Sequence, residues 1–371
     1  MKLYIIAGEA SGDLHGANLI RQLVKQKPGI DIRCWGGDMM QQAGGQLVKH
    51  YRDLAFMGFA EVIMNLRTIL NNLDFCKKDI LAYKPEALVL IDYPGFNLRI
   101  AEWAKAQGIT VFYYISPQIW AWKENRVHKI KRSVDRMFVV LPFEKDFYKK
   151  YNYDVSFVGH PLLDVISNSE SDHARFKKEN DLNDKGIIAL LPGSRKQEIS
   201  AMLPIMLSLK NEFAQYQFVI AGAPGQTAEY YAPFLVNDDV KIVFGKTYDL
   251  LRHANAALIT SGTATLEAGL FRLPQVVCYK GNTLSYHIAK RLIKIKYISL
   301  VNLILDKEAV TELIQHDLNK KNIGDELRSL LTDEKRKAEM RRDYDVLHES
   351  LGGAGASERT ATEMLKILAA R

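Results

Sequence analysis

Short runs of consecutive apolar residues recur along this chain, many closed by a glycine-bearing turn and followed by helical apolar spacing. Leu3–Ala7, Ile30–Trp35, Ala87–Ile91, Thr110–Ile115, Met137–Leu141 and Val155–Val158 form one series. Gly186–Leu191, Phe218–Ala221, Val240–Phe244, Ala256–Thr260 and Gln275–Tyr279 form a second. Unbroken apolar runs of this length read as strands buried on both faces. Strands that alternate with helices must pair in parallel through crossovers. The pattern therefore predicts an α/β protein of two Rossmann-like, doubly wound domains facing a cleft. Between the series, Ser167–Lys185 is polar and reads as a connection. Beyond Asp306 the signal is mainly helical, with a break at Leu351–Gly355 before a last helix. The expected domains are 1–166 and 167–350, with 351–371 packing back on the first domain or on a partner.

In open parallel sheets ligands sit outside the carboxyl ends of the strands, so the residues there carry the functional reading. After Leu3–Ala7 come Gly8, Glu9, Ser11 and Asp13. The glycines Gly8, Gly12 and Gly16 are four apart, which is not the dinucleotide fingerprint. Glu9, Ser11 and Asp13 are candidate ligand contacts, Asp13 being equally well placed as a helix cap. Ala87–Ile91 ends in Asp92–Tyr93–Pro94–Gly95–Phe96–Asn97. Asp92 stands where a general base would act on a bound hydroxyl, or serves only as a turn residue. Asn97 belongs to the same turn. Trp120 and Trp122, beside Lys123 and Arg126, either floor a sugar or lipid site or simply pack.

In the second series, Pro192–Gly193–Ser194–Arg195 opens a helix and suits a pyrophosphate. Ser261, Gly262 and Thr263 deliver a helix N-terminus, whose free N–H groups favour an anion. Glu267, one turn further, is within reach of a ribose or is a solvated helix residue.

Composition narrows the partners. The chain carries 50 Lys and Arg against 43 Asp and Glu, a net charge of +7, with pI near 9.0. That suits nucleotides, phosphorylated sugars or anionic lipid without choosing among them. Three scattered cysteines, Cys34, Cys76 and Cys278, form no CxxC pair. Reduced thiols, a cytosolic setting and no structural zinc are expected. The opening apolar run is too short for a signal peptide, and no run reaches the length of a spanning helix, so any membrane contact is expected to be peripheral. The segment Leu54–Leu73 is unusual: Met57, Phe59, Val62, Ile63, Leu66 and Leu70 make a wide apolar stripe beside Lys49, Arg52 and Arg67. It is either core or a surface for acyl chains or a membrane.

Taken in order, Gly8-Glu-Ala-Ser-Gly-Asp13, Ile91-Asp-Tyr-Pro-Gly-Phe-Asn97, Ser116-Pro-Gln-Ile-Trp-Ala-Trp-Lys123, Leu141-Pro-Phe-Glu-Lys145, Leu191-Pro-Gly-Ser-Arg195, Ser261-Gly-Thr-Ala-Thr-Leu-Glu267 and Ser299-Leu-Val-Asn302 resemble the lipid-A-disaccharide synthase family. Each motif alone is weak, and the ordered set spans nearly the whole chain. The family pattern has an acidic residue at the position of Gly95 and a proline at that of Val301. The resemblance implies a glycosyltransferase-B fold. It implies an inverting transfer from UDP-2,3-diacylglucosamine to 2,3-diacylglucosamine 1-phosphate, giving a β-1,6-linked disaccharide 1-phosphate and UDP in the lipid A pathway of Gram-negative bacteria. On that implication Asp92 is the base and Arg195 stabilises the leaving group. Ser194, Ser261, Gly262, Thr263, Glu267 and Asn302 would bind the UDP-sugar. Glu9, Ser11, Asp13, Asn97, Trp120 and Trp122 would line the acceptor side.

The stripe from Met57 to Leu70 becomes a lipid or membrane contact, which implies a cytoplasmic protein held peripherally at the inner membrane. No cofactor, metal or nucleic acid is implied, and a homodimer through the C-terminal helices is compatible with the sequence. Asp343–Tyr344–Asp345 lies in a Lys/Arg-rich helical tail and reads as solvated surface. The competing readings are a UDP-N-acetylglucosamine 2-epimerase on the same scaffold, a transferase acting on undecaprenyl-linked sugars, and a non-catalytic glycolipid-binding protein.

Overall fold

A computed structural model describes residues 1–54, 66–167, 172–235, 240–281 and 295–370, apart from the side chains of Leu66, Trp122 and Ser167. The chain divides into two compact units, Met1–Asp164 with Leu351–Arg371, and Val165–Ser350.

The first unit carries a parallel sheet of β1 (Lys2–Ala7), β2 (Asp31–Gly36), β3 (Gln46–His50), β4 (Ala87–Ile91), β5 (Thr110–Tyr114), β6 (Arg136–Val139) and β7 (Ser156–Phe157), in the order 3-2-1-4-5-6-7. The second carries β8 (Gly186–Leu191), β9 (Tyr216–Gly222), β10 (Lys241–Phe244), β11 (Ala256–Thr260), β12 (Gln275–Tyr279) and β13 (Thr311–Ile314), in the order 10-9-8-11-12-13. Both orders are those of the doubly wound nucleotide-binding fold. Strands β4, β5 and β11 are buried at every residue, because crossover helices cover both faces of the sheet. Two strands lie outside the expected series. β3 and β13 are edge strands, only partly buried, so Gln46, Lys49 and Glu312 are tolerated and no apolar run marks them.

The helices that matter below are α1 (Ala10–Gln26), α2 (Asp38–Gln42), α3 (Leu66–Tyr83), α4 (Pro94–Ala106), α5 (Lys196–Leu207), α6 (Thr263–Leu270), α7 (Leu300–Leu305) and α8 (Ala356–Ala369). The polar connection 167–185 contains a short helix, His173–Glu179, belonging to the second unit. The first unit ends two residues before the expected boundary, and α8 packs along α1 within it.

Of the apolar stripe, Met57, Phe59, Val62 and Ile63 lie outside the described residues, as does the side chain of Leu66. Its flanks divide: Leu54 and Leu73 are core, whereas Leu70 on α3 is 50% exposed. Among the described residues no helix is long and apolar enough to cross a membrane.

Candidate active site

A doubly wound sheet opens its ligand crevice where the strand order reverses. In the first unit that point lies between β1 and β4. Ala7 is in register with Ile91, so Gly8–Glu9 and Asp92–Tyr93 leave the sheet side by side. Asp92 and Tyr93 are consecutive non-glycine residues in the left-handed region, with φ of 43° and 48°. Each such residue costs roughly 1–2 kcal/mol, so something must hold the pair. The Asn97 amide donates to the Asp92 carbonyl at 2.8 Å and to the Ile91 carbonyl at 3.1 Å. The Tyr113 hydroxyl donates to the same Asp92 carbonyl at 2.6 Å. The Tyr93 ring lies against Gly8, where a Cβ would fall 2.3 Å from the ring.

Burial pushes the Asp92 carboxyl up to about 7, with the Glu9 carboxylate adding to the rise and the Tyr93 N–H opposing it. Such a carboxyl is half protonated near neutrality and is suited to take a proton from a hydroxyl. Glu9 is half-buried at the head of α1, and Ser11 is exposed.

Three sequence expectations on this side change. Asp13 is buried, and its carboxylate accepts from the N–H groups of Gly37 at 2.7 Å, Met40 at 3.0 Å and Met39 at 3.2 Å. It caps α2, a helix remote in sequence, and has no freedom to meet a ligand. Asn97 is fully buried, so it serves the Asp92 backbone and not the acceptor side directly. Trp120 is half-buried, packs against the core and sets its ring edge-on to Phe143 at 4.9 Å, which is the packing role.

In the second unit the reversal lies between β8 and β11, with Leu191 in register with Ile259. The turn after β8 needs its glycine: Gly193 has φ +109°, and a Cβ there would meet the Glu198 side chain at 2.6 Å. Glu198 accepts from the N–H groups of Ser194 at 3.1 Å and Arg195 at 3.2 Å, closing the start of α5. Its other oxygen lies 3.5 Å from the Arg195 guanidinium, which remains 65% exposed and open to an anion.

The turn after β11 leads straight into α6. Ser261 is committed locally, its N–H to the Cys278 carbonyl at 3.1 Å and its hydroxyl to the Ile298 carbonyl at 2.9 Å. The N-terminal donors offered to an anion are therefore those of Gly262 and Thr263, and Ser261 is a correction to the expected set. Glu267 is half-buried, and burial alone pushes its carboxyl up to about 7.

Asn302, on α7, is the other correction. Its amide donates to the Val310 carbonyl at 2.8 Å and Glu312 at 2.9 Å, and accepts from Ala309 at 2.8 Å and Val310 at 3.0 Å. All four capacities are used by the chain itself, so no sugar contact remains. Asp343 and Asp345 are each paired with a cation, Lys307 and Arg272, both at 2.6 Å. Among the described residues no cluster of metal-ligating side chains occurs.

Residues 3–367 match the family model described as lipid-A-disaccharide synthetase. A lipid-A-disaccharide synthase of Syntrophus aciditrophicus is 41% identical over 98% of this chain and 97% of that protein. One of Coxiella burnetii is 39% identical over 88% of both. Among solved structures, a UDP-GlcNAc 2-epimerase of Neisseria meningitidis bound to UDP-GlcNAc aligns with TM-score 0.69 at 14% identity, covering 99% of this chain and 100% of that one. The glycotransferase of kitacinnamycin aligns with TM-score 0.64 at 13% identity over 99% of both chains. At such identities these structures speak for the fold alone, the glycosyltransferase-B arrangement of two Rossmann-like domains. Family match and relatives agree over nearly the full length: the chain belongs to the lipid-A-disaccharide synthetase family and is a glycosyltransferase of lipid A biosynthesis.

Proposed function

We propose that this enzyme transfers the sugar of UDP-2,3-diacylglucosamine to the 6-hydroxyl of 2,3-diacylglucosamine 1-phosphate, with inversion. The observation that carries the assignment of roles is the place of Asp92, a half-buried carboxyl on the strand end beside Glu9, where burial raises its pKa. Its ionised form takes the proton of the 6-hydroxyl as that oxygen bonds to the anomeric carbon. The bond from that carbon to the β-phosphate oxygen breaks, and UDP leaves with the electron pair. Arg195 and the N–H groups of Gly262 and Thr263 offset the charge gathering on the diphosphate. The Ser194 hydroxyl stands beside Arg195 in the same turn. Glu267 accepts hydrogen bonds from the ribose hydroxyls. Glu9 and Ser11 border the acceptor, and Glu9 keeps the Asp92 pKa near neutrality.

Acylated substrates call for a protein that works at a membrane surface, and the exposed Leu70 supports assigning that contact to the stripe it belongs to. The test of the function supplies both substrates and follows UDP and the tetraacyl disaccharide by mass spectrometry. UDP and disaccharide should appear only when both are present. Asp92→Asn should lower kcat by about a thousandfold with the fold intact. Near-normal turnover by that variant would remove Asp92 as base, and epimerised UDP-N-acetylglucosamine without disaccharide would replace the whole reading.

A further inference from the structure

The mechanism above uses the Asp92 side chain and leaves its main chain unexplained. Asp92 and Tyr93 both lie in the left-handed region, which an aspartate tolerates and a tyrosine seldom adopts. Two buried side chains converge on one atom there, the Asp92 carbonyl oxygen: the Asn97 amide at 2.8 Å and the Tyr113 hydroxyl at 2.6 Å. Both residues are fully buried, so neither touches substrate. Asn97 sits in the first turn of α4, where an inward polar residue has an ordinary local role. Tyr113 is different. It lies within β5, a fully buried strand, in register with Leu90 of β4, and a phenylalanine would fill the same volume. Its hydroxyl has the Asp92 carbonyl as its acceptor, at a point where two consecutive non-glycine residues lie in the left-handed region.

We propose that Tyr113 is a positioning residue for transfer: through the Asp92 carbonyl it fixes the left-handed backbone that keeps the Asp92 carboxyl buried beside Glu9 and aimed at the acceptor hydroxyl. The inference rests on Asp92 being the base. Without the Tyr113 hydroxyl, Asn97 alone among the described residues grips the carbonyl, and the Asp92–Tyr93 pair relaxes toward ordinary backbone angles. Two consequences follow. The carboxylate leaves its reactive geometry, and an error near 1 Å is enough to cost about a hundredfold in rate. The carboxyl also gains water, so burial raises its pKa less.

The test compares the wild type with Tyr113→Phe in the two-substrate assay, with kcat and KM taken across pH 5.5–9 and the melting temperature recorded. Expected are a kcat lowered by about tenfold to a hundredfold, KM values within about twofold, and an acid limb displaced from about 7 to lower pH. A Tyr113→Phe enzyme with the wild-type kcat and acid limb overturns the proposal. So does a variant that loses kcat only in step with its melting temperature while the acid limb stays in place, since that is packing alone. If Tyr113→Phe does not fold, Asn97→Ser loosens the same carbonyl from the other side and is judged by the same kcat and pH criteria. Asp92→Asn separates the two levels. An inactive Asp92→Asn with a normal Tyr113→Phe refutes the positioning role alone, whereas an active Asp92→Asn refutes the base and this inference with it.

Discussion

Asp92 and Glu267 are each held at about 7 by burial, one at the ligand edge of each unit. A carboxyl whose folded pKa lies above its unfolded value stabilises the fold below the unfolded value, and that stability is lost as pH rises through the folded one. The unliganded protein therefore bears a cost at pH 8 that is roughly halved at pH 5.5 and absent only below about pH 4. Asp92→Asn and Glu267→Gln should each raise the melting temperature, and by more at pH 8 than at pH 5.5. A gain equal at both pH values would mean that the ionised carboxylates are already well solvated. The same residues divide sharply in ligand binding. Glu267→Gln should weaken UDP binding about tenfold by calorimetry, the worth of roughly 1.5 kcal/mol for one hydrogen bond to a charged group. Asp92→Asn should leave UDP binding within about twofold, because its assigned partner is the acceptor. The catalytic pH profile should have the opposite sign from the stability profile: with Asp92 as the proposed base, transfer needs it ionised and the rate should rise with pH through about 7.

At the scale of elements, the turns at strand ends do two jobs that look alike in a sequence. Asp13, three residues into α1 and beside the candidate site, spends its carboxylate on three N–H groups at the start of α2. Asp13→Ala leaves those buried donors unmet. It should cost at least about 2 kcal/mol, read as a fall of several degrees in melting temperature, with KM for both substrates unchanged. The central strands were legible because a parallel strand covered on both faces must be apolar throughout, as in Ala87–Ile91 and Ala256–Thr260. The edge strands Gln46–His50 and Thr311–Ile314 were not, because half-burial removes that requirement. The positions of Asp92, Arg195, Gly262, Thr263 and Glu267 after their strands were legible, because each follows an apolar run whose end lies at a reversal point of the strand order. Asn97, Ser261 and Asn302 were misread as direct contacts, since a polar residue looks the same whether it meets a sugar or a backbone carbonyl. Tyr113 gave no signal, because an aromatic residue inside an apolar run counts as a strand former and its hydroxyl goes unnoticed.

At the scale of the whole molecule, the chain leaves the first unit at Asp164 and returns to it at Leu351, and both crossings are tied down on that side. The Asp164 carboxylate accepts from the N–H groups of Gly355 at 2.5 Å, Ser357 at 3.1 Å and Ala356 at 3.3 Å, so the outgoing segment caps the returning helix α8. The His160 N–H donates to the Leu351 carbonyl at 3.0 Å. Arg359 donates to the carbonyl oxygens of Val158, Gly352, Gly353 and Ala354, and Glu363 accepts from Arg136 and Ser156. Ala356, Ala361 and Met364 are fully buried, so α8 also completes the apolar face of α1. Ending the chain at Ser350 would uncover that face, strip Asp164 of its three donors and leave Arg136 with Asp154 alone among the described partners. The first unit should then unfold at least about 10 °C lower, while the groups proposed to bind UDP, all within Val165–Ser350, remain in their own unit. Calorimetry with UDP on the truncated chain should return an affinity within about twofold of the full chain, and the transferase assay no disaccharide. Loss of UDP binding together with transfer would show that the second unit depends on the last helix for its own fold. Full transfer by the truncated chain would show that the helix closes the first unit without contributing to its working stability.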